Sequence, residues 1–206
     1  MKTVIDRKEL IAVALGSTLP DLVVRQGNLV NVLTREIYPA DVIIKGERIA
    51  AVRENNFDVP EGVPVIYATG KFIAPGFIDP HIHIESSAVT VTEFAKCVVP
   101  RGITTVLEDP HEIANVLGVA GIELFLKESE ALPLNVFLRV PGSVPGMPAE
   151  LETSGGQITF EQTLKLLDRE DSICLAGDIN PGLLLMKNAV QSDKLDYAIH
   201  IRKTIS

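Results

Sequence analysis

The chain has 206 residues, 46% of them hydrophobic and 22% charged, with a formal net charge of -8 and a pI near 5.0. That is an ordinary globular composition, long enough to bury a sizeable core. The acidity argues against nucleic acid, whose phosphates need a basic surface. No apolar stretch approaches the roughly 18 to 20 residues of a membrane span.

From Thr3 to Leu15 the pattern is that of a short helical arm, broken at Gly16-Ser17-Thr18-Leu19-Pro20. The apolar run Leu10 to Leu15 lacks a small-x-small cleavage site, so no signal peptide is expected. Between Asp21 and Ala68 the period shortens. Leu22 to Val24, Gly27 to Val32, Asp41 to Ile44 and Arg48 to Val52 are β-branched runs separated by turn residues such as Lys45-Gly46-Glu47-Arg48. These predict a small all-β unit of hairpins.

After Pro75 strands and helices alternate. Strands are predicted at Phe77 to Ile84, Thr104 to Leu107, Asn135 to Val140 and Ile173 to Ala176. Helices are predicted at Thr92 to Val99, Ile113 to Glu130, Phe160 to Leu167 and Lys194 to Lys203. Such alternation implies a parallel sheet. The domain reading is therefore an arm over 1–19, a β unit over 20–74 and an α/β unit over 75–206. Cys97 and Cys174 lack metal-type spacing and read as reduced core residues of a cytoplasmic protein.

The segment Phe77-Ile78-Asp79-Pro80-His81-Ile82-His83-Ile84-Glu85-Ser86-Ser87 carries most of the chemistry. In an extended strand, alternate side chains share a face, so His81 and His83 point the same way and can hold a divalent metal. Polar residues follow the other strands as well: Asp109, His111 and Glu112, then Glu152, then Asp178. In parallel α/β folds that end of the sheet is where ligands bind. Asp109-Pro110-His111-Glu112 also reads as a helix start, with Asp109 as cap and Glu112 completing a capping box. Glu152 sits beyond a Pro- and Gly-rich loop, the kind that carries binding residues or only connects. Asp178 could equally cap a helix, and His200 late in its helix is assigned no role.

Together these segments resemble the metal-dependent amidohydrolases and, within them, the adenine deaminase family. Pro75-Gly76-Phe77-Ile78-Asp79 with His81-Ile82-His83 gives the broad resemblance. His83-Ile84-Glu85-Ser86-Ser87, Gly102-Ile103-Thr104-Thr105-Val106, Asp109-Pro110-His111-Glu112-Ile113-Ala114-Asn115-Val116 and Glu152-Thr153-Ser154-Gly155 narrow it. The resemblance implies the N-terminal part of a (β/α)8 amidohydrolase barrel plus a small β-sandwich subdomain. It implies hydrolytic deamination of adenine to hypoxanthine and ammonia by a metal-activated hydroxide. Manganese or iron is the expected metal, with zinc an alternative. His81 and His83 would be ligands, and Glu85, Ser86, Ser87, Asp109, His111, Glu112 and Glu152 would bind substrate or support the site.

Where the family has Gly-Glu-x-Met-(Asn or Asp), this chain reads Gly177-Asp178-Ile179-Asn180-Pro181, with Asp178 as the shorter candidate ligand. A complete barrel takes about 250 residues, and only four strand–helix units are legible. The chain therefore looks like the amino-terminal portion of such an enzyme, weakly active or inactive alone. It would associate as a homo-oligomer or through its incomplete barrel. The alternatives are a non-catalytic half-barrel and another amidohydrolase acting on a cyclic amide.

Overall fold

Strand-forming runs give way to strand–helix repeats at Pro75, and the chain divides into two units there, Met1–Pro75 and Gly76–Ser206. The computed structural model describes residues 6–54, 57–147, 151–176 and 189–205.

In the first unit, helix α1 (Arg7–Ala14) starts where the Asp6 carboxylate accepts the Lys8 amide. Strands β1 (Leu22–Asn31), β2 (Glu36–Lys45) and β3 (Arg48–Arg53) form an antiparallel meander. Its first turn is built by Asn31, whose side-chain oxygen accepts the amides of Leu33 and Thr34. A bulge in β1 places Gln26 at φ 62°, where the fully buried Asp41 carboxylate takes its N–H at 2.8 Å. Strands β4 (Val65–Tyr67) and β5 (Phe72–Ile73) run parallel to β1 and complete a five-stranded sheet. The sequence predicts hairpins only. The long connection after Arg53 returns the chain parallel to β1, which a tight hairpin turn cannot do.

The second unit begins with β6 (Phe77–Ile82) and a 3₁₀ turn at Ile84–Ser87, then α2 (Val91–Val98) and β7 (Ile103–Glu108). Next come α3 (His111–Leu117), α4 (Val119–Ser129), β8 (Asn135–Val140), α5 (Phe160–Leu167) and β9 (Ser172–Leu175). Helix α6 (Ala189–His200) and the short β10 (Thr204–Ile205) follow. All neighbours in the sheet, ordered β10-β9-β8-β7-β6, are parallel. Parallel strands are joined through helices, so apolar side chains fill the layer between helix and sheet. Leu138, Val140, Leu167, Leu175 and Ala198 are fully buried in one cluster there, and Ile84, Val91 and Val106 in a second.

Three expectations need correction. The single helix expected from Ile113 to Glu130 is two, divided at Gly118, whose φ of 62° and ψ of -145° suit only glycine. A Cβ on Gly156 would lie 2.3 Å from the Gly118 nitrogen, so a glycine there is what lets the loop close on the break. Helix α3 is capped at Pro110 without a side-chain bond, so the Asp109 carboxylate is not its cap. Cys97 is exposed, not a core residue, because α2 turns it away from the sheet; Cys174 is buried as expected. Strand β10 was not foreseen, and His200 lies exposed in the last turn of α6. Asp178 lies outside the described residues.

Candidate metal centre

The site stands at the carboxyl ends of β6 and β7. His81 belongs to β6, and His83 follows it in extended backbone (φ -112°, ψ 96°), so the alternation persists one residue past the strand. The two Nε2 atoms face each other at 3.2 Å. The His81 amide is fixed by the Asp79 carboxylate at 3.1 Å.

Parallel pairing of β6 with β7 brings Asp109 alongside, its amide donating to the Ile82 carbonyl at 2.9 Å. Its carboxylate is buried, with Oδ2 3.9 Å from His81 Nε2. One donor atom from each of His81, His83 and Asp109 falls within 4.8 Å of the others. Two imidazoles and a carboxylate form a donor set suited to divalent transition metals. With metal–nitrogen distances of about 2.1 Å, two ligands at a tetrahedral angle would stand about 3.4 Å apart, close to the 3.2 Å imidazole spacing.

Glu112, in the first turn of α3, holds the other edge of the pair. Its Oε2 lies 3.0 Å from His83 Nδ1, and its Oε1 accepts the Ser86 hydroxyl at 2.7 Å. A proton on Nδ1 directed at the carboxylate leaves the Nε2 lone pair toward His81, the arrangement that metal-ligating histidines use. Burial alone would raise the Glu112 carboxyl. The Ser86 hydroxyl, its own amide and His83 together hold it below its ordinary range.

Behind the histidines stand two further acids. Glu108 ends β7, is 1% exposed, and accepts the Ile84 amide with both oxygens at 3.2 and 3.1 Å. Burial first, and then the hydrogen bond and charge of Glu85, push the Glu108 carboxyl up to about 10. Glu85 Oε1 accepts the Ile113 amide at 3.0 Å. Its Oε2 is buried with no fixed donor, and a proton held by Glu108 supplies one. The pair thus ties the turn after His83 to the start of α3.

The structure therefore gathers His81, His83, Ser86, Asp109 and Glu112 at one place. It uses Ser87 differently: its hydroxyl closes its own turn on the Ile84 carbonyl at 2.6 Å. Glu152 braces the loop before it, accepting the Asn115 side-chain amide and the Met147 backbone amide, each at 2.8 Å. His111 opens α3 beside that loop, close enough that a Cβ on Gly146 would lie 3.5 Å from its ring. Sequence reasoning missed Glu108, which reads as the end of a strand, and Arg139, hidden in the apolar run of β8. Arg139 donates to the Pro80 carbonyl at 3.1 Å, and its Nε is 3.9 Å from Asp109 Oδ2.

Residues 72–193 match the model of the Amidohydrolase family. The adenine deaminase of Thermosipho africanus is 45% identical over 161 residues, which are 78% of this chain and 27% of that protein. That of Moorella thermoacetica is 43% identical over 188 residues, 90% of this chain and 31% of that protein. The chain thus spans less than a third of the length of these curated relatives. Among solved structures, an N-acyl-D-glutamate deacylase from Bordetella bronchiseptica, complexed with zinc and a phosphonate inhibitor, aligns with a TM-score of 0.61. Its identity is 18%, over 91% of this chain and 44% of that one, so it shows the fold alone: the amino-terminal part of a (β/α)8 barrel and a small β unit. A family model that matches more than half of this chain, the histidine pair included, means that the chain belongs to the amidohydrolase family.

Proposed function

We propose that this chain is the amino-terminal portion of an adenine deaminase, which hydrolyses the C6 amino group of adenine to give hypoxanthine and ammonia. The observation that carries the reading is a His81, His83 and Asp109 donor cluster within a stretch 45% identical to a protein of that name.

In this reading His81, His83 and Asp109 hold a divalent metal, manganese or iron in preference to zinc, and Asp178 is a further ligand. Such an ion supplies Lewis acidity and lowers the pKa of water. The protein's own residues do the rest. Glu112, fixed by Ser86, keeps His83 in the tautomer that leaves Nε2 free. Glu85 and Glu108 hold the backbone between His83 and α3. Glu152, through Asn115 and Met147, holds the loop beside His111, where a purine edge has polar groups to meet. The same reading places the enzyme in the cytoplasm. It takes residues 1–19, 20–74 and 75–206 as arm, β subdomain and half-barrel, forming a homo-oligomer or associating through the incomplete barrel.

The test is ammonia release from adenine by the metal-loaded protein carrying this chain at its relatives' full length, with a cyclic amide as the rival substrate. Release from adenine alone is expected. Turnover of the cyclic amide without adenine turnover refutes the substrate assignment.

A further inference from the structure

We infer that Arg139 is a positioning residue of the metal centre, acting through Asp109 and the Pro80 carbonyl. The inference rests on the metal-site reading above.

Arginine is rare in the interior of a sheet unless its charge is matched. Arg139 lies on β8 between hydrophobic neighbours Leu138 and Val140, both fully buried, and is itself 7% exposed. Nothing in the packing of β8 requires a cation there. Its guanidinium instead reaches across the sheet to the two strands that bear the candidate ligands. On β6, Nη1 donates to the carbonyl of Pro80, the residue before His81. At the end of β7, Nε faces Asp109 Oδ2 at 3.9 Å, the same oxygen that lies 3.9 Å from His81 Nε2. The Nε atom is buried and has no hydrogen-bond partner, so Asp109 is its compensating charge.

One guanidinium thus donates to the backbone beside His81 and sets its charge against the carboxylate opposite it. A planar guanidinium holds its donor and its charge in a set relation to each other, whereas a lysine ammonium on a flexible stem acts as a point charge. Partners of metal ligands typically alter metal affinity ten- to a hundredfold when removed. A cation beside the site also has an opposing effect, because its charge repels the metal. The geometry gives positioning the larger share: Arg139 meets the carboxylate and the strand, and no contact joins it to either imidazole.

The test measures Mn2+ affinity by calorimetry in the full chain, for R139K, R139M and D109N and for R139M combined with D109N. Thermal unfolding without metal establishes that each variant folds. R139M is expected to bind Mn2+ about tenfold more weakly, and R139K to recover little of the loss. In the D109N background, R139M is expected to cost less than it does in wild type, since only the Pro80 contact then remains to be lost. Folded R139M binding Mn2+ as well as wild type, or more tightly, overturns the inference while leaving the metal site intact. Full recovery in R139K overturns it too, because charge alone would then suffice. No Mn2+ binding by the wild-type chain overturns both this inference and the metal-site reading.

Discussion

Replacing Glu112 by alanine isolates one link of the site, the carboxylate that orients His83. Glu112 Oε2 is 3.0 Å from His83 Nδ1, and the 3.2 Å approach of the two Nε2 atoms requires that ring orientation. Without the carboxylate, the imidazole is free to place its proton on either nitrogen and to rotate. Outer partners of ligating histidines are worth ten- to a hundredfold in affinity. The Glu112 side chain is 49% exposed, so water screens the pair and replaces part of what is lost. The lower end applies: about tenfold weaker binding, or about 1.4 kcal/mol. Calorimetric titration with Mn2+ near neutral pH measures this directly. Glu112→Gln, whose amide oxygen can still accept from Nδ1, should fall between wild type and Glu112→Ala. Ser86→Ala should weaken binding less than Glu112→Ala, because Ser86 reaches the histidine only through Glu112. If Glu112→Ala binds Mn2+ as wild type does while His83→Ala does not, the carboxylate has no orienting role and the reasoning is refuted.

Two further outcomes bear on the frame around the site. Glu108, pushed from 4.5 to about 10, keeps its proton when folded and loses it when unfolded. Its contribution is therefore full below the ordinary carboxylate range and declines as pH rises toward the folded value, by about 1.4 kcal/mol per pH unit. Urea unfolding of the metal-free chain between about pH 6 and pH 8 should show this slope in wild type and its loss in Glu108→Gln; equal slopes would contradict the shared proton. Gly156→Ala places a methyl 2.3 Å from the Gly118 nitrogen and 2.4 Å from the Ala114 carbonyl oxygen, both backbone atoms. It should destabilise by about 3 kcal/mol, at the upper end for overpacking, and an unchanged urea midpoint would show that the α3–α4 break can shift.

The histidine pair was legible because strand alternation is a local rule that needs no knowledge of neighbours. The strand–helix rhythm was legible for the same reason, since each element's apolar period lies within its own residues. What joined Asp109 and Glu112 to that pair was not local. It depends on β7 pairing parallel to β6, which places the ends of both strands together and brings α3 over the turn at Ile84–Ser87. Asp109 read as a helix cap because Asp-Pro ahead of a helix usually is one. Pro110 takes that position and leaves the carboxylate to the sheet end. Arg139 was invisible because Asn135 to Val140 reads as a buried strand, and a cation within it has no local explanation. The break at Gly118 escaped for a similar reason, since its cause lies in the distant glycines that pack on it.

The account rests on His81, His83 and Asp109 acting together as a metal site, and equilibrium dialysis against Mn2+ tests this most directly. Wild-type chain should retain the ion, and His81→Ala combined with His83→Ala should lose it with folding unchanged. Equal retention by the double variant, or none by wild type, would contradict the account.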